Sequence, residues 1–321
     1  MLKRLLFALT GAALAAATLG AFAQGYPVRP VKFLVGYAPG GPVDATARIM
    51  AQALQKELGQ PIVVENRPGA SGAIAADLVA KSLADGYAIY FAASPTLTIT
   101  PHVQKSMPVD VLKELAPIVN IVDYTNVLLI NKDFPARNVA ELVAYAKANP
   151  GKVAFGSAGM GASNHLSGEL LKKSTGADMI HVPYKGNAPA MADVVGGKIT
   201  FMFDITGTAK GFVDSGRARA LAVTSRERNR SLPDVPTMIE AGVPGFDVTG
   251  WYALMGPVGL PREVVTRLNA AVRATLADPA LAKQLFDLGY DLKPSSADEL
   301  GARIRREYDL WGGVAKGIRF D

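Results

Sequence analysis

The sequence predicts a two-domain α/β protein, and three observations carry that prediction. Short apolar runs alternate with helical segments of roughly a dozen residues, the pattern of βαβ units and a parallel sheet. A strand, a glycine turn and a helix follow one another at residues 31–58, and the same arrangement returns at residues 153–173. The chain has 321 residues, 49% of them hydrophobic, which is enough for two cores and excludes global disorder.

The chain opens on a basic start, Lys3 and Arg4, then an apolar run at 5–17 and an A-x-A site at Ala21, Phe22 and Ala23. That is the layout of an export leader, with cleavage expected after Ala23 and a periplasmic mature protein. No later stretch reaches about 18 continuous apolar residues, so the mature protein is expected to be soluble. Taking Lys3 and Arg4 from the formal charge of +6 leaves about +4, a mild excess that a solvated surface accounts for. No basic run with interleaved aromatics occurs, so nucleic acid is not expected as a partner. Cysteine is absent, which removes thiol catalysis, thiolate metal sites and disulfides.

Val31, Phe33, Leu34 and Val35 form the first strand. Tyr37, Ala38, Pro39, Gly40, Gly41 and Pro42 make a turn that no helix or strand interior tolerates. From about Asp44 the period changes, and Ile49, Met50, Ala53, Leu54 and Leu58 fall on one helical face. A glycine turn opening a helix presents bare N–H groups at the positive end of the helix dipole, a ready anion site. Residues 62–65 are the next strand, followed by a helix carrying Ile74, Leu78, Val79 and Leu83, and then the strand 87–93. Residues 94–110, with three prolines, break the alternation at a carboxyl strand end, where ligands bind in open α/β sheets. Ser94, Thr96 and Thr98 are candidate hydroxyl donors there, with turn and cap chemistry as the other reading.

Residues 119–130 read as a long strand leaving one domain for the second. A helix at 139–147 precedes the repeated unit. That unit is a strand at 153–157, a loop of Ala158, Gly159, Met160, Gly161 and Ala162, and a helix from Ser163 with Leu166, Leu170 and Leu171 inward. Strands at 180–182, 200–203 and 220–224 and a helix at 189–195 complete the second domain, and Asp204 stands at a strand end. Residues 251–255 cross back, and helices at 262–276, 281–288 and 297–314 finish the chain. The expected division is a leader at 1–23, a first lobe of 24–123 with 251–321, and a second lobe of 124–250.

Signatures of catalysis are missing. Ser157 lacks the G-x-S-x-G spacing, no phosphate loop is present, and no two histidines have metal-ligand spacing. His165 and Asp204 can be combined with Ser157 or Ser163 into a triad, but with three histidines and many serines such a combination is expected by chance. No cofactor and no metal is expected. The binding reading is that the two glycine turns face each other and hold one small carboxylate. Asp44 and Asp204 either brace the loops or receive an amine or hydroxyl of the ligand.

Several ordered motifs carry a resemblance over essentially the whole mature chain. They are Pro39-Gly40-Gly41-Pro42-Val43-Asp44, Glu65-Asn66-Arg67-Pro68-Gly69, Asp85-Gly86-Tyr87, Gly156-Ser157-Ala158-Gly159, His181-Val182-Pro183-Tyr184-Lys185-Gly186 and Leu232-Pro233-Asp234-Val235-Pro236-Thr237. The chain resembles the tripartite tricarboxylate transporter substrate-binding family, also called the Bug family. The resemblance implies a type II periplasmic binding fold, two α/β lobes closing on a ligand cleft. It also implies a non-catalytic, monomeric receptor that passes a small carboxylate to a membrane permease of the tripartite tricarboxylate type. On the matching positions it places ligand contacts at Tyr37, Pro39, Gly40, Gly41, Val43, Asp44, Ser157, Ala158, Gly159, Gly161, Ser163 and Asp204, and the strand-end reading adds Ser94 and Thr96. Pro42 departs from the Gly, Ser or Thr common there and removes one N–H donor. A sensory module presenting ligand to a membrane kinase, and an exported hydrolase using His165, stand as alternatives.

Overall fold

The computed structural model describes residues 25–316, so the leader and its cleavage site lie outside the described residues. In chain order the elements are β1 (Val31–Val35), α1 (Pro42–Leu58), β2 (Ile62–Asn66), a 3-10 turn (Ala70–Gly72), α2 (Ala73–Ala80) and β3 (Ala88–Ala93). Two short helices follow, α3 (Ser94–Thr98) and α4 (Thr100–Val103), then the 17-residue strand β4 (Leu115–Asn131). Next come α5 (Val139–Ala148), β5 (Ala154–Ser157), α6 (Ser163–Thr175), β6 (Ile180–Pro183), α7 (Asn187–Val195), β7 (Phe201–Ile205), α8 (Thr206–Asp214) and β8 (Ala218–Val223). The chain closes with β9 (Thr249–Pro257), α9 (Arg262–Leu276), α10 (Pro279–Asp287), β10 (Asp291–Leu292) and α11 (Ala297–Ala315).

Local chemistry sets many of these boundaries. Proline at the first position of α1 is pre-set for a helix, and Gly59 ends that helix in the left-handed region at φ 69°. α11 opens on a reciprocal capping box between Ser296 and Glu299.

The strands run in the order β2-β1-β3-β9-β4-β7-β5-β6, with β8 and β10 also paired to β4. β1 pairs in parallel with β2 and β3, and β5 with β6 and β7. The expectation of a parallel sheet is corrected at the centre, where β9 is antiparallel to β3 and β4, and β4 is antiparallel to β7. The reason is topological. β4 carries the chain out of one lobe and β9 carries it back, so the two run side by side in opposite directions. The first part of β4 pairs β9, and its last residues pair β7 and β8, which makes one curled sheet out of two lobes.

Each lobe packs helices on both faces of its half of the sheet. In the second lobe, Leu128 and Ile130 of β4 join Phe155, Leu166, Phe201 and Phe203 on one face. Val127 and Leu129 join Met191, Val194 and Met202 on the other. This is the period-2 alternation of a strand buried on both sides. In the first lobe, Phe33, Met50, Leu54, Phe91, Tyr252 and Leu268 fill one face, and Leu34, Val79, Tyr90, Trp251 and Leu300 the other.

Two further expectations are corrected. Residues 94–103 are not a loop but the helices α3 and α4, since prolines at the first turn start a helix rather than break it. On α2 the buried residues are Ala73, Ala75, Ala76 and Val79, while Ile74 and Leu78 are each 44% exposed and Leu83 is 78% exposed. Small residues let this helix lie close to the sheet, and at its start the Gly72 backbone fills the space a side chain on Gly36 would need.

Candidate functional site

The bend at residues 37–44 leads from β1 into α1. Tyr37 is buried, and burial pushes its hydroxyl up to about 12. That hydroxyl donates to the Ser71 carbonyl at 3.0 Å, and the Thr96 hydroxyl donates to the same carbonyl at 2.7 Å. Pro39 and Gly40 lie at the surface, whereas Gly41, Pro42, Val43 and Asp44 are buried. Gly40 sits at φ 81°, where glycine is unstrained.

Asp44 holds this bend together. Its Oδ2 accepts the Gly40 N–H at 2.9 Å, its Oδ1 accepts the Asn66 amide at 2.9 Å, and Arg48 Nε lies 3.0 Å from both oxygens. Burial pushes the Asp44 carboxyl up, but Arg48, the Gly40 N–H and Asn66 outweigh it and hold the group below its ordinary value. Pro42 is the first residue of α1, where the N–H has no helical partner, so its missing donor costs the helix nothing. No side chain caps the first-turn amides of Val43 and Asp44.

The partner of this bend across the cleft is the turn before α7. The Ala38 N–H donates to the Lys185 carbonyl at 3.0 Å. A Cβ on Gly41 would stand 3.7 Å from the Ala188 nitrogen and 3.8 Å from the Asn187 nitrogen. The positive ends of α1 and α7 therefore lie close together across the cleft.

The bend at residues 157–163 has other partners. Met160 O accepts the Ser71 hydroxyl at 2.6 Å, and Gly161 O accepts the Thr100 hydroxyl at 3.3 Å. A side chain on Gly159, at φ 124°, would stand 2.8 Å from the Ser71 hydroxyl. Tyr37 and Val43 of the first bend and Ala158 and Ala162 of the second belong to one buried apolar cluster. Three of the second bend's amides are bonded within their own lobe. The Ala158 N–H donates to Asn164 Oδ1 at 3.0 Å, the Gly159 N–H to Ser157 Oγ at 3.1 Å, and the Gly161 N–H to His165 Nδ1 at 3.0 Å.

Asn187 is the hub where the remaining groups converge. Its side-chain NH₂ donates to Asp204 Oδ1, and its Oδ1 accepts Asn164 Nδ2 at 3.3 Å. Asp204 Oδ2 accepts the Thr208 hydroxyl at 2.6 Å. Burial raises the Asp204 carboxyl above its ordinary value, against the pull of Thr208 and Asn187. Ser163 Oγ lies 3.4 Å from Asn126 Oδ1, and the fully buried Nδ2 of Asn126 has no hydrogen-bond partner. Ser94 Oγ accepts the backbone N–H of Trp251 at 3.1 Å. α1, α6, α7 and α8 all start around this hub, and none has a side-chain cap. α5, α10 and α11 are capped by Asn138, Asp278 and Ser296, while α2, α3, α4 and α9 also start without a side-chain cap. Beside the hub a cavity of about 900 Å³ opens between the lobes, lined by residues 69–71, 103–106, 158–160 and 183–185.

Sequence reasoning missed Asn126, Asn164 and Asn187. A signal for Asn187 was present: Gly186-Asn187-Ala188-Pro189 places a glycine before and a proline just inside a helix start, as Gly41-Pro42 does. Asn126 carried no local signal, because only the fold brings the crossing strand against the start of α6.

The triad is not assembled. Ser157 Oγ lies 2.6 Å from His181 Nε2, not from His165, and Asp204 bonds Asn187 and Thr208 instead of either ring. Ser157 is fully buried, and burial first and then Lys172 push His181 down to about 4, too weak a base for neutral pH.

Two α/β lobes on one curled sheet, joined by two crossing strands, with dipole-lined bends at the cleft, define a bilobal solute-binding protein. The family model described as the tripartite tricarboxylate transporter family receptor matches residues 46–319. BugT of Bordetella pertussis is 36% identical over 295 residues, covering 92% of this chain and 90% of BugT. Among solved structures, R. palustris Rpa4515 with adipate is 35% identical at a TM-score of 0.89, covering 91% of this chain and 99% of that one. MatC of Rhodopseudomonas palustris with bound malate is 31% identical at 0.87, covering 90% and 100%. The chain belongs to the tripartite tricarboxylate transporter receptor family, a family of periplasmic solute receptors and not of enzymes. Among the described residues no helix is long and apolar enough to cross a membrane.

Proposed function

We propose that this protein captures a small carboxylate at the hub between its lobes and hands it to a membrane permease of the tripartite tricarboxylate type. The observation that supports it most is the close approach of the starts of α1 and α7, joined by the starts of α6 and α8. Positive dipole ends lying close together repel, and an anion between them turns that repulsion into attraction. Each dipole contributes about 0.3–1 kcal/mol, up to about 2 where partly buried. Each charge-assisted hydrogen bond adds about 1.5–3 kcal/mol. After the costs of association this is enough for micromolar binding, about −8 kcal/mol.

In this reading the carboxylate takes the first-turn amides that follow Gly41 and Pro42, those of Val43 and Asp44, the amides of Asn187 and Ala188, and the orphan Nδ2 of Asn126 beside Ser163. Asp204 receives a hydroxyl or amine of the solute. Tyr37, Thr96, Ser94, Ser157, Ala158, Gly159 and Gly161 shape the walls, and Asp44 braces its bend through its side chain. The first lobe spans 24–123 and 251–321, the second 124–250. The protein acts as a monomer in the periplasm after its leader is cleaved following Ala23.

Calorimetry of the mature protein with adipate, malate, aromatic acids and amino acids tests the reading. Saturable binding without turnover is expected, weakened about tenfold in Asn126→Ala and Asn187→Ala. Failure of every carboxylate, or indifference of both variants, overturns it. Asp44→Ala should weaken hydroxy acids and plain carboxylates alike, as a brace does.

A further inference from the structure

Behind the second bend lie two histidines that carboxylate capture does not use. His165 sits in the first turn of α6 and His181 in β6. Their rings stack with centroids 4.0 Å apart at 21°, and Phe155 stacks on His181 at 5.0 Å. Each ring holds one end of the bend. His165 Nδ1 accepts the Gly161 N–H at 3.0 Å, which puts the proton of the neutral ring on Nε2. His181 Nε2 lies 2.6 Å from Ser157 Oγ, and that oxygen accepts the Gly159 N–H at 3.1 Å.

For His165 this is the arrangement of a neutral ring, whereas the Ser157 hydroxyl, which also points to the Gly159 carbonyl at 3.2 Å, can meet His181 as donor or acceptor. A proton on His165 Nδ1 would set a donor against the Gly161 N–H. Two stacked cations 4.0 Å apart in a buried setting would repel strongly. The charged groups near the pair are Lys172 and, one turn beyond His165 on α6, the buried Glu169, which is ion-paired to Lys172 at 3.0 Å. Burial, then the charge of His181, then Lys172 push His165 down to about 3.

We infer that His165, stacked on His181, is the positioning element of the second solute bend, holding Gly161 in its binding form only while the His165 ring is neutral. The effect on affinity rests on the carboxylate-capture reading; the hold on the bend does not.

Isosteres separate a positioning role from simple packing. The side-chain oxygen of Asn falls near the Nδ1 position and that of Gln near Nε2. His165→Asn therefore keeps the acceptor for Gly161 and His165→Gln loses it, while at position 181 the order reverses. Amide hydrogen exchange at Gly159 and Gly161, in protein without added solute, reads the bend directly. Gly161 protection is expected to stay near wild type in His165→Asn and to fall about tenfold in His165→Gln, with melting temperatures lowered alike in both. In wild type Gly161 protection should drop in acid, and in His165→Asn it should not. Adipate titration by calorimetry should show the same ranking, with His165→Gln about tenfold weaker than His165→Asn. Equal protection in the two variants, or an acid response that survives in His165→Asn, overturns the inference. If wild type binds no carboxylate, the functional reading fails while the exchange pattern still decides the role of the pair.

Discussion

The bend at residues 37–44 is held by charge, and the bend at 157–163 by neutral groups. In the first, a carboxylate gathers the Gly40 N–H, Asn66 and Arg48. In the second, Asn164, Ser157 and His165 take the amides of Ala158, Gly159 and Gly161, and His181 backs the Ser157 hydroxyl. Both solutions pin a glycine-rich backbone at a helix start. They differ in what undoes them: salt and the loss of one carboxylate for the first, a proton on a ring for the second.

Acid should separate the two most sharply. His165 and His181 sit at about 3 and about 4, against an ordinary 6.5, because burial disfavours their charged forms. Between 6.5 and those values the unfolded chain binds protons that the folded protein does not. The stability they contribute is therefore complete above about pH 6.5 and is lost as pH falls toward 4, by about 1 kcal/mol per pH unit for each ring. Asp44 lies below its ordinary 3.8, so its contribution is retained until pH falls through that value. Urea unfolding at steps from pH 7 to 4.5 should show a steep decline in wild type and a flatter one in the His165→Asn, His181→Gln double variant. Matching slopes would mean the rings do not set the acid response.

At neutral pH, Asp44→Ala is the largest single blow to the first bend, about 2–3 kcal/mol, since it strips three donors of their acceptor. Chemical denaturation measures it, and a loss under 1 kcal/mol would show that Arg48 and Asn66 find other partners. Ser157→Ala should cost about 1 kcal/mol by the same method, one neutral bond to the Gly159 amide and one to His181. Arg48→Ala comes last, below about 1 kcal/mol and smaller still in high salt, because its side chain is 52% exposed.

The comparison also shows what sequence can and cannot carry. Both bends were legible, because Pro-Gly-Gly-Pro and Gly-Met-Gly sit between a strand period and a helix period, and such local punctuation survives folding. Helix α9 was read to its residue bounds, since Leu268 and Val272 follow a clean helical spacing. The further partners of each bend were not legible, since they come from segments distant in the chain, as Lys185 does for Ala38 and Ser71 for Met160. For the same reason the buried face of α2 was misread: bulky Ile74 and Leu78 suggested a core face, but close approach to the sheet selected the alanines. Asn126 and Asn187 became site residues only through the meeting of four helix starts.

The placing of β9 bears on how the molecule is made. β3 and β4 are both present once residue 131 has emerged, yet they do not pair with each other, and the place between them belongs to residues 249–257. A chain threaded out from its N-terminus keeps an open seam in its first lobe until most of its length has passed. Its second lobe, whose strands β5 to β8 lie consecutively in the chain, can knit together earlier. The sheet of the first lobe is thereby completed late in the chain, by topology alone.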